Sequence, residues 1–178
     1  LLIAYPLAMI MANKGPEKQS TMTMLIMLPM WMNFLLRTYS WMTILEDNGL
    51  INTFITSIGL EPLQLINTRG AVVLGMVYNF LPYMILPIYT VMLKADRSLI
   101  EAAQDLGGNK LDVFKNVTIP LSVPGVVSGF TMVFVPSVST FYISQKLGGT
   151  GTTLIGDIIE TQFQTANNFN LGASLSFV

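Results

Sequence analysis

The chain has 178 residues, of which 52% are apolar and only 11% charged, with a net charge of −1. Ordinary soluble domains carry about 25% charged residues, so the composition argues against a soluble domain and for a lipid-embedded one, and the near-neutral balance gives nucleic acid no footing. There is no Cys and no His, which removes disulfides, thiol nucleophiles, thiolate zinc sites and imidazole bases.

In chain order, residues 1–12 are apolar, with no initiator Met and no basic flank ahead of them, unlike a signal peptide. At about 1.5 Å per residue they fall short of a hydrocarbon core of about 30 Å, and they read as the tail of a helix begun earlier. Residues 13–20 form a polar turn with Lys14, Gly15, Pro16 and Lys18. Residues 21–45 read as a full span whose sole charge is Arg37. Tyr39 and Trp41 suit the headgroup level, which Arg37 can reach by snorkelling, so the three are expected as interfacial anchors, with Arg37 alternatively an interhelical partner. Residues 46–69 mix apolar and polar side chains and suit short helices near the surface. Residues 70–93 are an uncharged span containing Pro82 and Pro87, tolerated in a membrane helix whose neighbours satisfy the freed carbonyls. A polar segment, 94–120, leads to a second uncharged span, 121–143, with Gly125, Gly129 and Pro136. Residues 144–170 are polar and glycine-rich, and 171–178 read as the start of a last, truncated span. The expectation is an all-α, polytopic transmembrane bundle seen as an internal fragment, with three full and two partial crossings.

Basic residues orient it. Lys14, Lys18, Lys94, Arg97, Lys110 and Lys115 fall in the first and third connections, whereas Arg37, Arg69 and Lys146 fall on or near the other side. The excess puts segment 94–120 in the cytoplasm. Among polar residues in the spans, Asn79, Ser128, Ser139 and Thr140 are candidates to line a path for a polar solute, or to bond to neighbouring helices. Gly125 and Gly129, four apart, suit close helix packing. The Met residues are read as packing rather than metal ligands.

The polar segment "EAAQDLGGNKLDVFKNVTIPLSVPG", 101–125, is the feature that calls for a function. Ser98 stands three residues before Glu101, the spacing of a capping box, with Asp96 as a rival cap. Leu99, Ala102, Ala103 and Leu106 recur at helical spacing as an apolar face, with Glu101 and Asp105 one turn apart on another. Gly107 and Gly108 permit a tight reversal. A second short helix over 109–117 is expected, with Leu111, Phe114 and Val117 available for packing, and Pro120 and Pro124 bracketing the start of the next span. The result is a helix-turn-helix knob tied to two membrane helices, either a docking element or a linker over the headgroups.

This segment resembles the EAA loop of membrane permease subunits in bacterial ABC importers. The matching positions are Glu101, Ala102, Ala103, Asp105, Leu106, Gly107, Phe114, Pro120, Pro124 and Gly125. Gly108 stands where Ala is common, a change expected to loosen the turn. "LPMWMNFLLRTYSWM", "YNFLPYMILPIYTVM", "VFVPSVSTFYISQKLGG" and "TTLIGDIIETQFQTANNFNLGASLS" extend the likeness over nearly the whole chain. They resemble the spermidine/putrescine branch in its Gram-positive form. Ser139 and Thr140 replace a frequent Gly-acidic pair, and Phe169 a frequent Trp.

The resemblance implies a non-catalytic subunit of an ATP-hydrolysing transport complex in the bacterial plasma membrane. Its implied partners are two ABC ATPase subunits gripping the EAA loops, a second homologous permease subunit, an extracytoplasmic substrate-binding protein, a polyamine substrate and the lipid bilayer. ATP and Mg²⁺ are expected on the ATPase, and no cofactor on this chain. "GGTGTT", 148–153, lacks the Lys of a phosphate-binding loop and reads as an external loop. Two rival readings are an ABC importer permease for ferric iron or a small anion, and an ion-coupled secondary transporter or non-transporting scaffold.

Overall fold

The computed structural model describes residues 1–149 and 153–177, and of Arg97 the backbone alone. Helices follow one another along the chain: α1 (Ala4–Ala12), α2 (Pro16–Trp31), α3 (Phe34–Leu45), α4 (Leu50–Ser57), α5 (Arg69–Lys94), α6 (Arg97–Asp105), α7 (Lys110–Val113), a π-helical turn (Phe114–Thr118), α8 (Ile119–Ser139), α9 (Tyr142–Leu147), α10 (Ile155–Gln164) and α11 (Phe169–Ser176). The all-α expectation holds, and no strand occurs among the described residues.

The stretch read as one span over 21–45 is two helices. α2 ends at Trp31, and Asn33 takes an extended conformation in which its side chain accepts the Leu35 N–H at 2.8 Å, starting α3 afresh. An Asn that offers its carbonyl to the backbone competes with helix continuation, and Pro29 has already withdrawn one donor in the last turns of α2. Among the described residues, two uninterrupted helices are long and apolar enough to cross a bilayer: Arg69–Lys94, of 26 residues, and Lys110–Ser139, of 30. α5 continues unbroken past Pro82 and Pro87.

The second of these helices differs from the sequence expectation. The knob's second helix does not stop before Pro120. α7, the π turn and α8 form one continuous rod. In the π turn the Ile119 N–H donates to the Phe114 carbonyl five residues back. A proline ring collides with the carbonyl four residues before it in a regular α-helix. Widening the turn just ahead of Pro120 lets the rod pass the proline unbroken.

The chain divides into two compact units. The first comprises Leu1–Pro29 and Phe80–Phe134. Its core sets Ala4, Ala8 and Met11 against Met84, Ile85, Ile88 and Tyr89. The Tyr5 and Ser122 hydroxyls are hydrogen-bonded at 2.8 Å, and the Tyr5 ring meets Phe114 edge to face at 6.1 Å. α8 lies directly on α5 at two glycines. A Cβ on Gly125 would stand 2.9 Å from the Pro87 carbonyl oxygen and 3.0 Å from the Ile88 Cα, and one on Gly129 would stand 3.1 Å from the Met84 carbonyl oxygen. This is the small-residue contact expected of Gly125 and Gly129.

The second unit comprises Met30–Asn79 and the chain from Val135 onward. Its core joins Leu45, Ala71, Val72, Ile143 and Leu147. Trp41 and Tyr78 meet edge to face at 5.3 Å. Asn52 is fully buried and clasps the following loop, donating to the Leu63 carbonyl and accepting the Leu63 N–H, both at 2.9 Å. All six basic residues assigned to the cytoplasmic side belong to the first unit, and Arg37, Arg69 and Lys146 to the second.

The glycine contact sets a prediction. Gly125→Val forces α5 and α8 apart and should cost about 1–3 kcal/mol, read as a lowered unfolding midpoint in detergent. Gly15→Ala, with nothing within 4 Å of the new methyl, should leave that midpoint in place.

Candidate coupling site

The polar knob is built from consecutive caps. Asp96 caps α6, its Oδ1 accepting the Ser98 N–H at 2.9 Å. The capping box expected between Ser98 and Glu101 does not form, because α6 already begins at Arg97 and Ser98 lies inside it. Asp96 is extended, which aims its carboxylate at the open first turn. The Ser98 hydrogen bond holds the Asp96 carboxyl below its ordinary value by favouring the charged form.

At the other end the Gly108 N–H reaches the Ala103 carbonyl at 3.0 Å and the Gly107 N–H reaches that of Gln104 at 2.9 Å. This pair of bonds is a Schellman termination. It requires Gly107 to be left-handed, and its φ is +83°. Gly108 is constrained differently. A Cβ there would lie 2.6 Å from the Ala103 carbonyl oxygen. The second glycine therefore closes the turn rather than loosening it, contrary to the sequence expectation. Asn109 then caps α7, accepting from Leu111 and Asp112 N–H at 2.8 and 3.0 Å, while Asp112 Oδ2 accepts the Asn109 N–H at 3.1 Å. This reciprocal box was legible as Asn-x-x-Asp but was not among the sequence expectations.

The outer surface of the knob is mixed. Glu101, Ala102 and Asp105 are exposed. The apolar face turns outward, Leu106 being 90% exposed and Leu99 also exposed, and on the second helix Leu111 is 75% exposed. Ala103 is half-buried and Val113 buried. Under the knob a cavity of about 550 Å³ is bordered by Met9, Met92, Ile100, Gln104, Phe114 and Ser122, among others. Phe114 turns toward Tyr5 of α1 rather than outward. Pro120 and Pro124 are exposed on the rod, and Gly125 is buried against α5.

The four polar residues proposed for a pathway are not joined by any hydrogen bond among the described residues. Buried Asn79 donates to the Gly75 carbonyl of its own helix at 2.8 Å, and its Oδ1 has no partner among the described residues. Ser128 is exposed. Ser139 bonds back to the Val135 and Pro136 carbonyls. The backbones of Ser139 and Thr140 form the seat for Gly156 at the start of α10, where a Cβ would lie 2.9 Å from the Thr140 carbonyl oxygen. The backbone at these two positions thus serves a packing contact that the sequence reading did not contain. Arg37 is only 9% exposed, and its Nε and Nη1 find no acceptor among the described residues. A buried guanidinium is not the snorkelling anchor expected at this position. Tyr39 is exposed and Trp41 half-buried against Tyr78. A further polar centre went unread: buried Asp157 accepts from the Ser144 hydroxyl at 2.9 Å and from the Leu154 N–H at 2.7 Å. Its signal is an Asp at the third position of α10. "GGTGTT" lies partly outside the described residues.

Two predictions follow from the caps. Gly107→Val puts a β-branched residue in the left-handed region at a cost of about 1–2 kcal/mol, so protection of the Gly108 amide from hydrogen exchange should fall about tenfold. The Asp96 carboxyl is lowered in the folded state, so its contribution is fully present above the unfolded carboxylate range and is lost as pH falls through the folded value. Protection factors over residues 98–100, taken relative to the intrinsic exchange rate at each pH, should therefore fall below about pH 4. In Asp96→Asn, which keeps the acceptor without the charge, that fall should be absent.

The family of binding-protein-dependent transport system inner membrane components matches residues 4–178. The chain is 38% identical over 178 residues to the spermidine/putrescine transport system permease protein PotB of Haemophilus influenzae, covering 99% of this chain and 62% of that protein. It is 35% identical over 178 residues to the PotB of Escherichia coli strain K12, covering 99% of this chain and 65% of that one. The chain thus spans less than two thirds of the length of these relatives. A chain in the crystal structure of a bacterial ABC transporter involved in the import of the acidic polysaccharide alginate superposes with a TM-score of 0.74 at 14% identity, covering 99% of this chain and 67% of that one. That likeness establishes the ABC permease fold. The chain therefore belongs to the family of binding-protein-dependent transport system inner membrane components, multi-pass proteins of the bacterial plasma membrane.

Proposed function

We propose that this chain forms part of a permease subunit in an ATP-driven importer for spermidine and putrescine. The carrying observation is the capped knob at 96–113, whose leucines and carboxylates face outward and whose second helix is continuous with a membrane rod. In this reading Leu106 and Leu111 enter an apolar groove on an ABC ATPase, and Glu101 and Asp105 meet basic groups at its rim. ATP and Mg²⁺ act on that ATPase, and this chain performs no catalytic step. A second permease subunit completes the pathway, and an extracytoplasmic binding protein delivers the solute. Nucleotide-driven movement of the ATPases tilts the rod and biases inward-open against outward-open arrangements. The polyamine reading is supported by the likeness to the PotB relatives, which are spermidine/putrescine transport system permease proteins.

A second reading, import of an anionic solute, is favoured by the buried Arg37, two of whose donors are open among the described residues. Reconstitution of the full-length subunit with its complex separates the two. ATP-dependent uptake of labelled spermidine and putrescine, with little uptake of an inorganic anion or ferric iron, is the expected outcome. Uptake of the anion alone would replace the first reading with the second. Gly107→Val should cut polyamine uptake at least tenfold while the subunit still inserts in the membrane.

A further inference from the structure

Lys146 projects from α9 onto aromatic rings. Its Nζ stands 5.6 Å from the centre of the Tyr39 ring on α3 and 5.9 Å from that of Tyr142, one turn back on α9. The two tyrosine rings meet edge to face at 6.2 Å, and Phe34 lies against Tyr142 at 6.0 Å. An ammonium group within about 6 Å of a ring centre is held by the negative face of the π system. The cluster is not sealed. Tyr39 is 42% exposed, and Tyr142 and Lys146 are half-buried, so a second ammonium ion can reach the same rings.

The chemistry of the occupant narrows what that ion would be. A lysine side chain is four methylenes ending in a primary ammonium, and putrescine is four methylenes with a primary ammonium at each end. The group now on the rings therefore copies one end of an alkyl diamine, tethered to the chain. We propose that the Tyr39–Tyr142 pair is a binding site for the terminal ammonium of an alkyl polyamine, and that Lys146 occupies it as a built-in competitor which the arriving solute displaces. The inference rests on the polyamine reading above and adds to it a defined subsite on α3 and α9. A tethered competitor lowers the apparent affinity of an empty pathway, and it keeps the site from standing open to small monovalent cations. If Lys146 served only to pin α9 to α3, its removal would loosen the fold without changing which solutes compete with it.

The test uses the full-length subunit in its reconstituted complex. In Lys146→Met the KM for putrescine uptake should fall roughly two- to fivefold, the range expected from releasing one exposed cation–π contact. In Tyr142→Leu it should rise. A direct reading comes from the complex with its lysines dimethylated by ¹³C-formaldehyde, a change that keeps the charge. The Lys146 signal, identified by its loss in Lys146→Met, should leave its ring-shifted position when putrescine is added, and should not move with 1,4-butanediol. A signal unmoved by putrescine in a complex that takes putrescine up overturns the subsite and leaves the polyamine reading standing. This signal decides the matter even if the Lys146→Met complex fails to assemble for transport. Displacement by butylammonium in a complex that takes up neither putrescine nor spermidine keeps the ammonium site and removes the polyamine reading. An unmoved signal together with no uptake overturns both.

Discussion

The left-handed backbone of Gly107 is the constraint on which the polar segment depends. At φ +83° it lets two successive N–H groups turn back onto the carbonyls of Ala103 and Gln104, closing the end of α6 while the chain reverses. For a residue with a side chain the same conformation costs about 1–2 kcal/mol. Gly108 removes the second obstacle, the contact with the Ala103 carbonyl. Asn109 and Asp112 then start the next helix within one residue of the turn. The N–H groups of Leu106, Gly107, Gly108, Asn109, Leu111 and Asp112 all find acceptors, so a short excursion between two apolar stretches holds a defined shape without a core of its own. A defined shape is what a force-transmitting contact needs, because a slack loop would absorb displacement.

What lies beyond the turn extends that property. α7 leads through the π turn into α8 without a break, so the knob ends directly in a membrane helix. The π turn answers a conflict between Pro120 and helical continuity. α8 in turn rests on α5 through Gly125 and Gly129, backbone against backbone. Dense contact of this kind shifts as a unit rather than by continuous deformation. Tyr5 adds a bond from α1 to Ser122 and a ring contact to Phe114, so the base of the rod is held at two points.

Much of this could be read from the sequence where a single residue type has a single physical use. Uncharged runs longer than a bilayer is thick marked α5 and α8. The Gly pair marked the reversal, and the sorting of Lys and Arg matched the division of the folded chain. The reading failed where two local rules compete. Asp96 and Ser98 both had a claim to cap α6, and only the extended backbone at Asp96 decides between them. The stretch 21–45 has the length and apolarity of a span, but a helix start at Asn33 depends on a side-chain hydrogen bond that hydropathy does not register. Periodicity identified Leu99 and Leu106 as a face without saying whether the face turns in or out. Arg37 shows the limit most clearly. Its position beside Tyr39 and Trp41 suggests the headgroup level, whereas packing buries it with two donors open among the described residues. Asp157 and Ser144, thirteen residues apart, carry no local pattern that would have paired them.

The central claim is that the exposed face of the knob is the surface an intracellular ATPase grips. The most direct measurement places a single cysteine at Leu106, which is 90% exposed, in an otherwise cysteine-free full-length subunit. A membrane-impermeant maleimide should label it in inside-out vesicles lacking the ATPase, label it little in right-side-out vesicles, and lose access when purified ATPase subunits are added back. Labelling from the outer face, or labelling unchanged by the ATPase, would contradict the account.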